Sequence, residues 1–197
     1  MKSSRARSRR RRRPVRLAFA FLTILLLAGV LLTTPQVHRH VMAWRFPLAY
    51  EETVRHYSAK HDLDPYLVMG LIRAESGFDA TAVSPVGATG LMQLMPSTAQ
   101  WIAEQKGIPY DELDLFSAEL NIRLGTYYLR RLLDLFYYTD TALAAYNAGM
   151  GNVNNWLGDI RYSHDGATLH TIPFGETREY VARVNRNRDM YQELYGR

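Results

Sequence analysis

The chain has 197 residues, 47% of them hydrophobic and 22% charged, with no cysteine. That balance suits a globular protein and excludes wholesale disorder, a disulfide scaffold, thiol catalysis and cysteine-ligated zinc. The formal charge of +5 is unevenly spread: 9 of the 24 basic residues lie before Leu17 and no acid precedes Glu51. From Leu17 onward 15 basic residues face all 19 acids, so a mildly acidic body (−4) follows a strongly basic tail.

Leu17–Leu32 (LAFAFLTILLLAGVLL) is an uncharged run that Thr33 and Thr34 can extend. As a helix rising 1.5 Å per residue it would reach roughly 27 Å, close to the ~30 Å hydrocarbon core of a bilayer. Arginine-rich flanks stay cytoplasmic, so the body is expected on the far side. The organisation this predicts is a basic cytoplasmic tail (1–16), a transmembrane signal anchor (Leu17–Thr34), a linker (35–49) and one domain (50–197). A cleaved signal peptide is the alternative, with Val41-Met42-Ala43 as a loose cleavage site, although it stands far from the apolar run. An arginine run can also bind nucleic acid, but one placed directly before an apolar stretch fits export better, and no nucleic-acid partner is expected.

Beyond Tyr50 the periodicity is helical. Glu51–His61 is a first helix. Asp64-Pro65 opens the next with an N-capping carboxylate and proline at the first helical position. Pro96–Gln105 begins in the same way and is stopped by Gly107. Ser117 caps a long helix to about Tyr137, with Leu120, Leu124, Tyr127, Tyr128, Leu132 and Leu135 at spacings of three and four. Thr141–Ala148 ends at Gly149, Gly151–Leu157 is short, and Glu176–Tyr195 closes an all-α domain. Arg161–Thr171 has room for a small hairpin.

Three segments carry candidate chemistry. Pro65–Ala74 is apolar on nearly every face, which places Glu75 at the C-terminal end of a buried helix. Desolvation and the negative end of the helix dipole both disfavour ionisation there. A carboxylic acid kept neutral near pH 7 can serve as a general acid. Taken alone, the segment fits better a glutamate paired with Arg73 or capping a loop. Gly87–Pro96 gathers two glycines, two methionines and Gln93, suited to close backbone approach and paired hydrogen bonds, or simply to a tight turn over core methionines. Ala144–Gly149 sets Tyr146 and Asn147 among small residues, which by itself describes a core tyrosine and a capping amide.

In this order the segments resemble the catalytic domain of the lytic transglycosylases, murein-cleaving enzymes with a goose-type-lysozyme-like fold. The blocks that carry the resemblance are Ala74-Glu75-Ser76-Gly77-Phe78 and Ser84-Pro85-Val86-Gly87-Ala88-Thr89-Gly90-Leu91-Met92-Gln93-Leu94-Met95-Pro96. Asn121–Leu129, Ala144–Gly149 and Ile172–Val181 follow. The likeness runs from about Tyr50 to the C-terminus and is nearest to the soluble lytic transglycosylase, without the helical ring domain that precedes the catalytic domain there.

The resemblance implies that Glu75 is the one catalytic carboxylate. It would protonate the glycosidic oxygen between N-acetylmuramic acid and N-acetylglucosamine, then take the proton of the muramic C6 hydroxyl as a 1,6-anhydro ring closes. It further implies that Tyr146 hydrogen-bonds Glu75 or nearby substrate, and that Met92 and Gln93 line the glycan groove. Ser84 would meet acetamido groups, Glu176 would face the cleft, and Gly90, Asn147 and Gly149 would be architectural. Tyr180 is open to either role. Asp79 reads as a loop cap. The histidines show no ligand spacing, so neither metal nor cofactor is expected. The expected partner is the peptidoglycan strand, and the expected place is the periplasmic face of a bacterial inner membrane. A hydrolase on the same fold and a non-catalytic glycan-binding factor are the alternatives. The first calls for a second acid to activate water, and the second is disfavoured by Glu75, Gln93 and Tyr146 occurring together.

Overall fold

A computed structural model describes the backbone of residues 6–32, 35–109 and 113–196, with the side chains of 6–16, 31–32, 35–36 and 38 left out. Two units separate, Met1–Pro47 and Leu48–Arg197.

The first unit holds α1 (Ala6–Leu32) and α2 (Pro35–Arg45). The expected linker is thus largely helical. Leu17, Phe19, Phe21, Leu22, Ile24, Leu25, Leu26, Leu27 and Val30 are all exposed, around the whole circumference of α1. Its one hydroxyl in this stretch, Thr23, donates to Phe19 O at 2.8 Å, so it leaves no polar group unsatisfied. Among the described residues no helix is long and apolar enough to cross a membrane. The expected span is therefore not found as such: Thr33, Thr34 and the side chains of Leu31 and Leu32 lie outside the described residues, as do the side chains of the basic tail.

The second unit contains seven described helices and, among the described residues, no strand: α3 (Glu51–Lys60), α4 (Pro65–Glu75), α5 (Pro96–Lys106), α6 (Ala118–Phe136), α7 (Thr139–Ala148), α8 (Met150–Leu157) and α9 (Gly175–Tyr195). The capping chemistry read from sequence operates at two starts. Asp64 Oδ1 accepts from Tyr66 N at 2.9 Å, and Ser117 Oγ accepts from Leu120 N at 3.4 Å. No hairpin forms at 161–171. Asp165 instead ties its own turn, its carboxylate accepting from Ala167 N, Thr168 N, Thr168 Oγ1 and Ser163 Oγ. A short polar side chain able to bond four nearby donors competes successfully with strand pairing.

The centre of the unit is α4 crossing α9. Leu67, Val68, Met69, Leu71 and Ile72 are buried, each contributing roughly 1.5–3 kcal/mol of gross burial. The α9 residues Thr177, Tyr180, Val181, Val184, Tyr191 and Leu194 form the facing stripe at spacings of three, four and seven. Gly70 permits the crossing: a Cβ there would stand 2.8 Å from Arg188 N and 2.9 Å from Val184 O. The amide of Asn187 then donates to Gly70 O at 3.1 Å across the contact. This crossing sets the last turn of α4 against the first half of α9.

Candidate active site

Glu75 is the final residue of α4, and Ser76 turns the chain out of the helix while tying it to the next loop. The Ser76 hydroxyl donates to Leu91 O at 2.8 Å and accepts from Phe78 N at 3.1 Å. The loop then folds back on itself through Ser84 N to Ala88 O, Gly90 N to Ala82 O, and the reciprocal pair between Thr89 and Leu94.

Asn121, fully buried on α6, holds this loop in place. Its Oδ1 accepts from Met92 N at 2.8 Å while Nδ2 donates to Thr89 O and Leu115 O, both at 2.9 Å. Gly90 sits against that amide with φ 78°, and a Cβ would come within 2.3 Å of Asn121 Nδ2 and of Leu115 O. Only glycine satisfies both the dihedral and the space.

Around Glu75 two tyrosines take distinct places. The hydrogen-bond partner of the carboxyl is Tyr180 of α9, whose hydroxyl donates to Glu75 Oε1 at 2.6 Å. Tyr146, expected to hydrogen-bond Glu75 or nearby substrate, donates to Met92 O at 2.8 Å and packs against Tyr128 with ring centres 5.3 Å apart. It remains close enough for the Glu75 charge to push its phenol upward, after burial, as it also does for Tyr180. The α4–α9 crossing brings Tyr180 over the end of α4, whereas the hydroxyl of Tyr146 on α7 meets the loop at Met92 O.

Burial pushes the Glu75 carboxyl up to about 7, against the opposing pulls of the Tyr180 hydrogen bond and the Arg183 charge. No second carboxylate contributes to that shift. Asp79 is exposed and capped by Thr81, whose N and Oγ1 donate to Asp79 Oδ1 at 2.8 and 2.7 Å.

Met92 does not offer its side chain to a groove. It is fully buried against Gly125, where even a methyl group would overlap its sulfur, and only its backbone bears on the site. Gln93, with φ 46°, points Nε2 at Ala82 O (3.1 Å) and Gly90 O (2.9 Å), leaving Oε1 without a partner among the described residues. Ser84 Oγ accepts from Ala88 N at 2.9 Å. Glu176 is exposed in the first turn of α9, favourably placed for its charge at a helix N-terminus. Asn147 Oδ1 accepts from Thr177 Oγ1 at 2.7 Å, joining α7 to α9, and Gly149 with φ 88° joins α7 to α8. Among the described residues no three His, Asp or Glu side chains gather to hold a metal ion.

Sequence reasoning missed Asn121 and did not settle Tyr180. The signal for the first was a lone amide inside an otherwise apolar helix face, and for the second a tyrosine in register with the buried stripe of α9.

A carboxyl that closes an apolar helix, is raised by burial and is touched by a phenol on an all-helical scaffold has the arrangement of a general-acid site. The chain belongs to the transglycosylase SLT domain family, whose model matches residues 52–167. It is 40% identical over 144 residues to the soluble lytic murein transglycosylase of Escherichia coli K12, covering 71% of this chain and 22% of that one. It is 30% identical over 170 residues to the membrane-bound lytic murein transglycosylase C of Actinobacillus pleuropneumoniae serotype 5b, covering 74% and 46%. Among solved structures it resembles an inactive glutamate-to-glutamine mutant of the lytic transglycosylase Slt from Pseudomonas aeruginosa. That match has a TM-score of 0.69 at 39% identity and covers 78% of this chain and 25% of the other. A complex of the 70-kDa soluble lytic transglycosylase with bulgecin A matches with a TM-score of 0.69 at 34% identity, over 79% of this chain and 26% of that one. The chain thus spans about a quarter of the length of the soluble relatives it matches. The lysozyme-like all-helical fold follows from these similarities.

Proposed function

We propose that the protein is a membrane-anchored lytic transglycosylase that cleaves the β-1,4 bond between N-acetylmuramic acid and N-acetylglucosamine without water. The observation that carries the reading is Glu75, a half-buried carboxyl at the end of α4, touched by the Tyr180 hydroxyl and held up to about 7 with no carboxylate among the causes. Half protonated near neutrality, it gives its proton to the departing glycosidic oxygen. The carboxylate it becomes is stabilised by the Tyr180 hydroxyl at 2.6 Å. It then accepts the proton of the muramic C6 hydroxyl as that oxygen attacks C1, closing the anhydro ring and regenerating the acid.

The supporting roles follow from position. Tyr146 fixes the Met92 carbonyl, and Gln93 offers Oε1 to the sugar. Ser84 keeps its hydroxyl proton to donate, and Glu176 faces the far side of the cleft. Gly90, Asn147 and Gly149 hold the walls. Asp79, the acid next along the chain, is exposed and tied to Thr81 rather than poised to activate water, which favours internal capture over hydrolysis.

Anchoring rests on the uncharged Leu17–Thr34 run behind nine basic residues, and on the exposure of every large apolar side chain in Leu17–Val30. The catalytic domain, residues 50–197, then lies in the periplasm, acting on peptidoglycan strands with no cofactor. The test is a digest of intact sacculi with products identified by mass. Anhydro ends are expected, and reducing ends would establish the hydrolase instead.

A further inference from the structure

Away from Glu75, the C-terminus of α3, the end of α5 and the middle of α6 enclose a cavity of about 160 Å³ lined by Lys60, His61, Ile102, Lys106, Arg123, Leu124 and Tyr127. Arg123 and Tyr127 of α6 lie on the opposite side of that helix from Asn121 and Gly125, which serve the loop at the active site. Three fixed cations therefore meet at one hollow, and no carboxylate lines it. None of the three forms an ion pair among the described residues. Lys106 Nζ stands 3.8 Å over the Tyr127 ring and Lys60 Nζ 5.8 Å from the Tyr57 ring, so aromatic faces rather than acids hold them. Asp114 and Glu119 line a neighbouring hollow of about 390 Å³ that Arg123 also borders, and Glu119 is engaged by the Tyr57 hydroxyl at 3.1 Å.

His61 completes the arrangement. Thr126 Oγ1 donates to Ile122 O at 2.6 Å and so accepts from His61 Nδ1 at 2.9 Å. Nε2 is then the nitrogen left for the cavity, and it becomes a donor when the ring is protonated. The charged and titratable groups about the ring are Lys60 and Tyr57 of α3, Lys106 of α5, and Arg123 and Tyr127 of α6. Burial first, then Lys106, Lys60 and Arg123, hold the imidazole below its ordinary range. Like charges collected around an apolar-walled hollow repel one another, and an entering oxyanion relieves that repulsion while meeting several donors at once.

We propose that this hollow binds a phosphate group, carried by a lipid headgroup or supplied as free phosphate. Three cations and a convertible imidazole favour the several acceptor oxygens that a phosphate monoester or diester offers over the two of a carboxylate, and Ile102, Leu124 and Tyr127 leave room for a short apolar attachment. The assignment is independent of the chemistry at Glu75.

The test follows the His61 ring resonances of the full-length protein in nonionic micelles during titration with inorganic phosphate, dihexanoyl phosphatidylglycerol and acetate. Saturable shifts with a raised His61 pKa are expected for at least one phosphate compound. A response to phosphatidylglycerol alone identifies a headgroup site, and a response to inorganic phosphate alone identifies a free-anion site. Lys106→Gln, at an exposed position, is expected to weaken binding about tenfold, the effect of losing one charge-assisted contact, with Arg161→Gln as the unaffected control. Acetate binding as tightly as phosphate, no His61 response to either phosphate compound, or equal loss in both variants would overturn the proposal.

Discussion

At Glu75 the same desolvation governs chemistry and stability. The carboxyl rises from about 4.5 to about 7, so the folded protein holds a proton that the unfolded chain releases across that window. Stability therefore falls as pH rises from the unfolded value to the folded one and is level above it. Glu75→Gln removes that burden, and we expect it to raise stability at pH 8 by up to about 3 kcal/mol and by nothing near pH 4, read from denaturant midpoints. The same variant should lose at least about a hundredfold in murein turnover, the usual minimum share of general acid–base catalysis. Wild-type turnover should decline on the alkaline side through about 7 as the acid form is lost. Tyr180→Phe deletes a hydrogen bond that favours the carboxylate, so its alkaline limb should move to higher pH. An unmoved limb would assign Tyr180 to packing alone.

Between elements, two buried features hold the site together. Gly70→Ala sets a methyl group against the backbone of α9, which cannot yield without separating the helices. We expect a net loss of about 2 kcal/mol despite alanine's better helix propensity, seen as a lowered Tm, together with reduced activity as Tyr180 drifts from Glu75. Asn121→Ala strands three buried backbone groups, Met92 N, Thr89 O and Leu115 O, and should cost about 3 kcal/mol or more. Glu75 on α4 was legible because an acid closing an apolar helix is conspicuous in one dimension. Tyr180 and Asn121 were not, because Glu75 lies 105 residues from the first, and Met92 and Thr89 lie 29 and 32 from the second. Met92 was misread as a groove residue for the same reason: a methionine looks alike in sequence whether it faces a ligand or, as here, a glycine on a neighbouring helix.

For the molecule as a whole, the asymmetry of charge and the exposed apolar helix make a prediction about place. The full chain should sediment with membranes and resist extraction by high salt, whereas a variant lacking residues 1–47 should stay in the supernatant and keep its helical circular dichroism. Release of the full chain by salt alone would mean that the basic tail, not the apolar run, makes the attachment. Helix starts at Asp64 and Ser117, the all-helical class and the position of the acid were determined by the sequence itself, since each depends on neighbours a few residues apart. Whether 161–171 paired as strands, which tyrosine touches Glu75, and where three cations meet were decided only by the tertiary structure. Those outcomes rest on which helices cross and how closely, and a crossing is selected by burial over the entire core, not by any local run of residues.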